Sequence, residues 1–292
     1  MSIVRPFKAL RPVPKKAKFV SCVPYDIVSE AEVREITAGN PDSFLRVTRP
    51  EADFAAGSAP TEAEILKRAQ EHLDRLIRED TLSQESEPCL YVYRLTSESH
   101  EQTGIVGCCS LNDYDTGVIK KHEKTRPDKV RDRTDHMLSL KAQTGLIFLA
   151  FRGTDETKKL IADTVAGDPL YDFVCPKGVR QTVWRVTEPE TFVGAFDRIP
   201  ALYIADGHHR AESAALARRE MRDSNPNHTG TEQYNFVMAG IFPAEDLHIL
   251  AYNRVIKDLN GLTEDVFLEK LQQNFIVGET SERQPKNRGE FC

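Results

Sequence analysis

The sequence predicts an α+β protein with a mixed, largely antiparallel sheet and flanking helices. Strand-like and helix-like segments follow one another without the regular alternation of a doubly wound α/β fold. Two strand-like segments, 89–95 and 104–111, are separated only by the polar loop 96–103, which predicts an antiparallel pair. Apolar residues at helical spacing predict a long helix over 61–79.

The amino-terminal segment places acidic side chains where a predicted strand gives way to a predicted helix. Residues 19–24 are apolar and end in a proline, which predicts a strand that stops there. Asp26 follows closely. Ser29, with Glu32 three residues later, has the spacing of a capping box and predicts a helix that carries Glu30 in its first turn.

The middle of the chain contains one clear helix and one highly charged stretch. The helix over 61–79 has its charges on one side, which indicates a structural element with a solvated face. Residues 117–133 are charged without a clear amphipathic period, which predicts a surface loop. In that stretch, His122 and Glu123 are candidates for an acid or base, and Arg133 is a candidate anion clamp.

Apolar or alternating runs later in the chain predict further strands. These runs are 145–151, 181–186, 236–242 and 247–253. His248, in the last of them, is expected to be an ordinary strand residue. The sequence contains no GxxxxGK[ST] loop, no GxGxxG fingerprint and no HExxH motif, so the common phosphate, dinucleotide and zinc-protease motifs are absent.

A strand-to-helix turn in the second half of the chain concentrates polar side chains. Its residues are Asp206, Gly207, His208, His209 and Arg210. An apolar run, 201–205, precedes the turn and predicts a buried strand, whereas strong helix formers over 211–222 follow it. The first N–H groups of a helix lack partners within it and lie at the positive end of its dipole, so an anion is the expected ligand.

Each residue of this turn has a chemical use. Gly207 lets the backbone bend and approach a ligand, and Arg210 offers a rigid set of donors to phosphate or carboxylate. Asp206, His208 and His209 suit proton transfer or metal ligation. The simpler alternative is that Asp206 caps the helix and that both histidines are solvated turn residues. The clustering of all five at a strand end favours a binding site.

The whole-chain composition excludes several classes of function. The 292 residues are 40% hydrophobic and 29% charged, as in an ordinary soluble protein of one large or two modest domains. The net charge of −6 and the interspersed basic residues argue against nucleic acid as a partner. No apolar stretch reaches the ~20 residues that a membrane helix needs. The six cysteines form no Cys-x-x-Cys pair, so a reducing cytoplasm is the expected location.

Several segments together resemble the DUF1015 proteins, a bacterial and archaeal family of unassigned function. The segments are 23–29, 43–51, 90–94, 122–125 with 132–133, and 203–210. The resemblance runs from about residue 6 to the carboxyl end and implies one DUF1015-like domain over 1–292. Members of the family usually continue further, so the chain is expected to be truncated at its carboxyl end.

The run Gly207-His208-His209-Arg210 before a helix is also similar to the Gly-x-His-Arg turn of the ParB/sulfiredoxin fold. Sulfiredoxins, CTP-using ParB proteins and free-serine kinases place nucleotide phosphates on that turn. The similarity implies a ParB/sulfiredoxin-like portion of the fold and a nucleotide site, in which His209 and Arg210 contact phosphate. Asp206 or His208 would then orient a metal ion or a proton. The sulfiredoxin cysteine is replaced by His208, which argues against sulfinic acid repair.

These observations favour a nucleotide-dependent phosphotransferase that acts on a small hydroxylated metabolite, with serine as an acceptor suggested by the serine kinases. Phosphoryl transfer depends on positioning and charge neutralisation, which the turn and Mg²⁺ with ATP or ADP can supply. Arg133 and His122 are expected to add to the phosphate site. Asp26, Glu30 and Glu123 remain equal candidates for the base.

Two other functions are compatible with the same residues. In a metal-dependent phosphoesterase, Asp206, His208 and His209, with His122 as a further ligand, would hold transition metal ions that activate water. Adjacent histidines point in different directions, so only one of the two is expected to bind a given ion. A non-catalytic nucleotide-binding protein would use the same phosphate turn without a base.

Overall fold

A computed structural model describes residues 4–249, 255–281, 285 and 289–290. By its internal contacts the chain divides into two units, Met1–Leu247 and His248–Cys292. The second unit contains one described helix, Glu264–Gln272, which begins after its N-cap Thr263. The candidate site lies wholly in the first unit.

The first unit is built on a mixed, largely antiparallel sheet. Its strands are β1 (Val4–Arg5), β4 (Tyr91–Thr96), β5 (Glu101–Ser110), β6 (Ile119–Lys120), β7 (Ile147–Phe151), β8 (Tyr171–Val174), β9 (Arg180–Arg185), β10 (Leu202–Asp206) and β11 (Phe236–Pro243), while β2 (Leu10–Pro12) and β3 (Leu82–Gln84) form a separate ribbon. The order across the sheet is β6-β10-β7-β11-β5-β4-β9-β8, with β1 beside β5. The pairs β6–β10 and β7–β11 are parallel, and the other described pairs in this sheet are antiparallel. The predicted α+β class is therefore confirmed.

The first unit also contains helices. They are α1 (Ala17–Val20), α2 (Glu30–Thr37), α3 (Leu45–Thr48), α4 (Glu62–Arg78), α5 (Leu111–Asp115), α6 (Pro127–Leu140), α7 (Asp155–Val165), α8 (Pro189–Phe196) and α9 (His208–Asp223), and the helix of the second unit is α10. Short 3-10 turns include Tyr25–Ile27 and Gln233–Asn235. No described helix has both the length and the apolar character needed to cross a bilayer.

The main core lies between the sheet and the helix that follows β10. Ile147, Leu149 and Phe151 of β7 are buried, and α9 contributes the small side chains Ala211 and Ala214 to the same core. Small side chains let α9 approach the sheet closely. Helix α6 packs against α9 on one side and against α4 on the other. The start of α9 is thus held from both the sheet and α6.

Most of the elements predicted from local patterns are confirmed. Helix α2 has the expected capping box, in which Ser29 and Glu32 bond each other's backbone N–H groups. Helix α4 agrees with the prediction over 61–79. Strands β4 and β5 form the expected antiparallel pair. Strands β7, β9, β10 and β11 also lie where apolar or alternating runs predict them.

Three local predictions are wrong. The strand expected over 19–24 does not form, because residues 19 and 20 end the helix α1 and residues 21–24 have no regular secondary structure. The charged stretch 117–133 is not a loop throughout, because it contains β6 and the first half of α6. Residues 247–249 form no strand, because the N–H of Leu247 closes a turn onto the carbonyl of Ala244. Residues 250–253 of that prediction lie outside the described residues.

The unexpected helix α6 has a physical explanation. Its buried face is partly polar and includes Thr134 and His136, so the face does not look apolar in the sequence. Both side chains find partners in the fold: the Thr134 hydroxyl donates to the carbonyl of Val130, and His136 Nε2 lies 2.9 Å from the carbonyl of Val47. Polar groups that are paired in this way are tolerated in a core.

Candidate functional site

The turn between β10 and α9 has the geometry expected of an anion-binding helix start. Gly207 occupies the N-cap position with a φ of +91°, and the N–H of Ala211 makes the first helical bond to its carbonyl. Within the described part of the chain, no side chain caps this end. The N–H groups of the first turn of this 16-residue helix therefore lie at the positive end of its dipole, and no described side chain caps them.

A glycine is required here for two reasons. A positive φ is costly for residues that carry a Cβ. A Cβ built on Gly207 would also lie 3.2 Å from Cζ and Nε of Arg210, which is closer than most real Cβ contacts. The guanidinium of Arg210 thus lies directly against the backbone of the turn.

Arg210 supports the turn from its inner side. Its Nη1 donates to the carbonyl of Leu146, and its Nη2 donates to the carboxylate of Asp206. The Arg210 side chain is only 16% exposed, whereas that of Asp206 is 66% exposed. Asp206 therefore presents a carboxylate to solvent at the same turn, and it is ion-paired rather than acting as the helix cap.

His208 is buried and contacts the loop that carries His122 and Glu123. Its Nε2 accepts a 3.3 Å hydrogen bond from the backbone N–H of His122, so the ring proton is on Nδ1. A carboxylate oxygen of Glu123 lies 3.3 Å from that Nδ1. Burial lowers the pKa of His208, and the neighbouring ring of His122, 4.4 Å away between centroids, acts in the same direction. Burial thus favours the uncharged imidazole, and the carboxylate of Glu123 opposes that effect.

His209 makes a parallel contact with the same loop. Its Nε2 accepts a 3.1 Å hydrogen bond from the backbone N–H of Arg126. The two successive histidines therefore attach the loop 121–126 to the first turn of α9. The Nε2 atom of each histidine therefore already accepts a backbone hydrogen bond. Among the described residues, no group of three or more His, Cys, Asp or Glu side chains is arranged to hold a metal ion.

Residues from two other predicted segments also lie near the turn. The guanidinium of Arg133, on α6, lies 4.5 Å from the ring centre of Tyr25. Tyr25, Arg133 and Arg210 line a small cavity of about 20 Å³, which has room for about one water molecule. Burial raises the pKa of Tyr25, and the positive charge of Arg133 opposes that shift. Asp26 is exposed directly beside Tyr25.

The structure thus brings most of the predicted site residues into one neighbourhood. His122 and Glu123 contact His208, and Arg133 and Arg210 line one cavity. Glu30 differs, since its carboxylate is ion-paired with Arg34 one turn further along α2.

Sequence reasoning missed the backbone groups of this site. The carbonyl of Leu146 and the N–H of Arg126 both bond residues of the turn. Every residue type carries these groups, so no side-chain pattern announces them. Tyr25 was detectable only through its position beside Asp26 at the predicted strand end.

Comparison with known families gives one result. The model described as "Protein of unknown function (DUF1015)" matches residues 4–292. No curated protein and no solved structure matches the chain.

Proposed function

The chain belongs to the DUF1015 family, and from the geometry of its own site we propose that it is a nucleotide-dependent phosphotransferase acting on a small hydroxylated metabolite. The proposal rests mainly on one observation. The start of α9, open at Gly207, lies beside two guanidinium groups, those of Arg210 and Arg133. Backbone N–H groups, a helix dipole and arginine side chains are the groups that bind phosphate.

The metal ligands that the turn offers suit Mg²⁺ better than a transition metal. Mg²⁺ takes oxygen ligands and is commonly held by one or two carboxylates together with substrate phosphates. Asp206 provides an exposed carboxylate next to the N–H groups that would bind phosphate. The Nε2 atoms of His208 and His209 instead accept backbone hydrogen bonds. Bound with a nucleotide, Mg²⁺ would neutralise phosphate charge during transfer.

Glu123 is the base that the contacts favour. It lies on the loop attached to the turn, its side chain is 56% exposed, and one of its oxygens is 3.3 Å from Nδ1 of His208. The Nδ1–H of His208 can orient this carboxylate while leaving its second oxygen to accept the proton of an acceptor hydroxyl. Glu30 is engaged by Arg34. Serine is the acceptor to test first, because the turn is similar to that of the free-serine kinases.

Nucleotide binding is tested by thermal unfolding with ADP, ATP and CTP, each with and without Mg²⁺. A ligand at a hundred times its Kd stabilises by about 2.7 kcal/mol, or roughly 5–10 °C for a chain of this size. Arg133→Gln should remove most of the shift. Arg131→Gln is the matched control, because Arg131 lies on the same helix but pairs with Asp135 and Glu220. No shift with any nucleotide, or equal shifts in both variants, would contradict the proposal.

Phosphoryl transfer is tested by ³¹P NMR of mixtures that contain the protein, Mg²⁺, nucleotide and free serine. Glu123→Gln should bind nucleotide as before but lose about a hundredfold or more in rate, the usual effect of removing a general base. Asp26→Asn and Glu30→Gln are the controls and should retain transfer. If the loss follows Asp26 or Glu30, the assignment of the base is wrong. Nucleotide binding without transfer to serine or to other hydroxylated metabolites would favour a non-catalytic binding protein.

A further inference from the structure

A second cavity lies near the carboxyl end of α9, well away from the turn. Its volume is about 260 Å³, and its lining residues are Ser110, Asn112, Arg218, Arg222, His228, Gly230, Asn235 and Phe236. Arg218 is ten residues after His208, which corresponds to ~15 Å along the helix. The lining is rich in hydrogen-bond donors and carries two arginines, so the chemistry of this cavity needs a separate explanation.

Arg218 is a largely buried residue of the cavity lining. The residue is only 9% exposed, and its Nη2 is ion-paired with Asp115. Its Nε–H is buried without a hydrogen-bond partner among the described residues. Leaving such a group unpaired is costly, and native proteins rarely do so without a reason. An acceptor bound in the cavity would satisfy this donor if the Arg218 side chain shifts so that its Nε–H faces the cavity.

Arg222 adds a second positive charge to the same wall. It lies four residues after Arg218, so both side chains lie on one face of the helix. Its nearest carboxylate is that of the adjacent Asp223, at 3.3 Å, and the Arg222 side chain is half-exposed. Its guanidinium is therefore accessible to a ligand in the cavity.

The acidic groups near the cavity are already engaged. Asp115 is shared between Arg218 and Arg219. Glu232 accepts hydrogen bonds from the backbone N–H groups of Thr229 and Gly230 and does not line the cavity. The charged groups that line the cavity are consequently the two arginines, accompanied by the imidazole of His228 and by amide and hydroxyl groups.

We propose that this cavity binds the phosphate group of a small phosphorylated metabolite. Two arginines on one helix face can bind a phosphate through several parallel N–H···O bonds. The amide side chains of Asn112 and Asn235 suit a polar remainder of the ligand. The volume is slightly below the roughly 300–1,000 Å³ of clefts that hold drug-sized ligands, which fits a small metabolite.

The test is a titration of the full chain with inorganic phosphate, followed through the Nε–H signals of its arginines by ¹⁵N NMR. One Nε–H signal should shift saturably with phosphate and not with chloride at equal ionic strength. In Arg222→Gln, phosphate binding should weaken by about tenfold or more, the usual effect of losing a charged hydrogen bond. Arg78→Gln is the matched control, because Arg78 also lies in the last turn of a helix but does not line the cavity.

Two results would overturn the proposal. One is an equal effect of phosphate and chloride, which would mean simple ionic screening. The other is unchanged phosphate affinity in Arg222→Gln relative to Arg78→Gln. Arg133→Gln distinguishes phosphate binding at the α9 turn from phosphate binding in the second cavity, because this substitution should leave the Arg222-dependent signal unchanged. The proposed transferase activity and this second site can therefore fail independently.

Discussion

Replacing Gly207 with alanine should affect both stability and ligand binding, and the structure separates the two effects. The positive φ of +91° at Gly207 makes the substitution cost about 1–2 kcal/mol in backbone strain. The added Cβ would lie 3.2 Å from the guanidinium of Arg210 and should displace it. The resulting weakening of the Arg210–Asp206 pair adds less than about 1 kcal/mol, because Asp206 is largely exposed.

Gly117→Ala is the matched control for this substitution. Gly117 also has a positive φ, +77°, but a Cβ there would meet nothing within 4 Å. Both variants should lose about 1–2 kcal/mol, or roughly 2–8 °C in Tm, for the shared backbone reason. Only Gly207→Ala should also lose the stabilisation by nucleotide and Mg²⁺, because only that variant disturbs the α9 turn.

Urea unfolding provides the measurement of stability. Trp184 is the sole tryptophan of the chain and is buried in β9, so its fluorescence reports the unfolding of the sheet. Thermal shifts in the presence of nucleotide provide the measurement of binding. A Gly207→Ala variant that is as stable as the wild type would refute the argument from backbone strain. A full nucleotide shift in that variant would refute the placement of the site.

Two further predictions concern the surroundings of the site. Burial lowers the pKa of His136 to about 4, against 6.5 for the free side chain. The uncharged, buried His136 therefore contributes about 3 kcal/mol to the free energy of unfolding above pH 6.5, and this contribution is lost as the pH falls through 4. His136→Gln keeps a donor for the carbonyl of Val47 and should make the free energy of unfolding less dependent on pH between 6.5 and 4. If urea unfolding shows the same pH dependence as in the wild type, His136 does not cause the loss of stability in acid. His209→Leu removes the acceptor for Arg126 N–H, so trypsin should cut the loop 121–126 after Lys124 several-fold faster, with His209→Gln closer to the wild type. Equal cleavage rates in all three proteins would show that this hydrogen bond does not hold the loop.

The fold was predictable where short-range chemistry decides it. The Ser29–Glu32 capping box and the apolar stripe of α4 predict two helices correctly. The strand prediction for residues 19–24 failed because apolar residues suit a short helix as well as a strand, and only packing decides between the two. Helix α6 was not predicted because its buried polar face is stabilised by partners that are distant in the sequence. One of them is Val47, which is 89 residues away from His136.

The candidate site was predictable as a cluster but not in its connections. The residues of the turn predict an anion site at a helix start, and the structure has a helix start there. The sequence could not reveal that the two histidines accept backbone bonds from the loop 121–126. It also could not choose among Asp26, Glu30 and Glu123, because that choice depends on tertiary contacts such as the one between Glu123 and His208.

Backbone ¹H–¹⁵N NMR during a titration with Mg²⁺-nucleotide tests the central claim most directly. If the phosphates bind at the start of α9, the largest changes should appear at the N–H groups of residues 207–210, which lead into that helix. Smaller changes should appear in the loop 121–126, since its backbone is bonded to His208 and His209. Saturable nucleotide binding that leaves residues 207–210 unshifted would contradict the account.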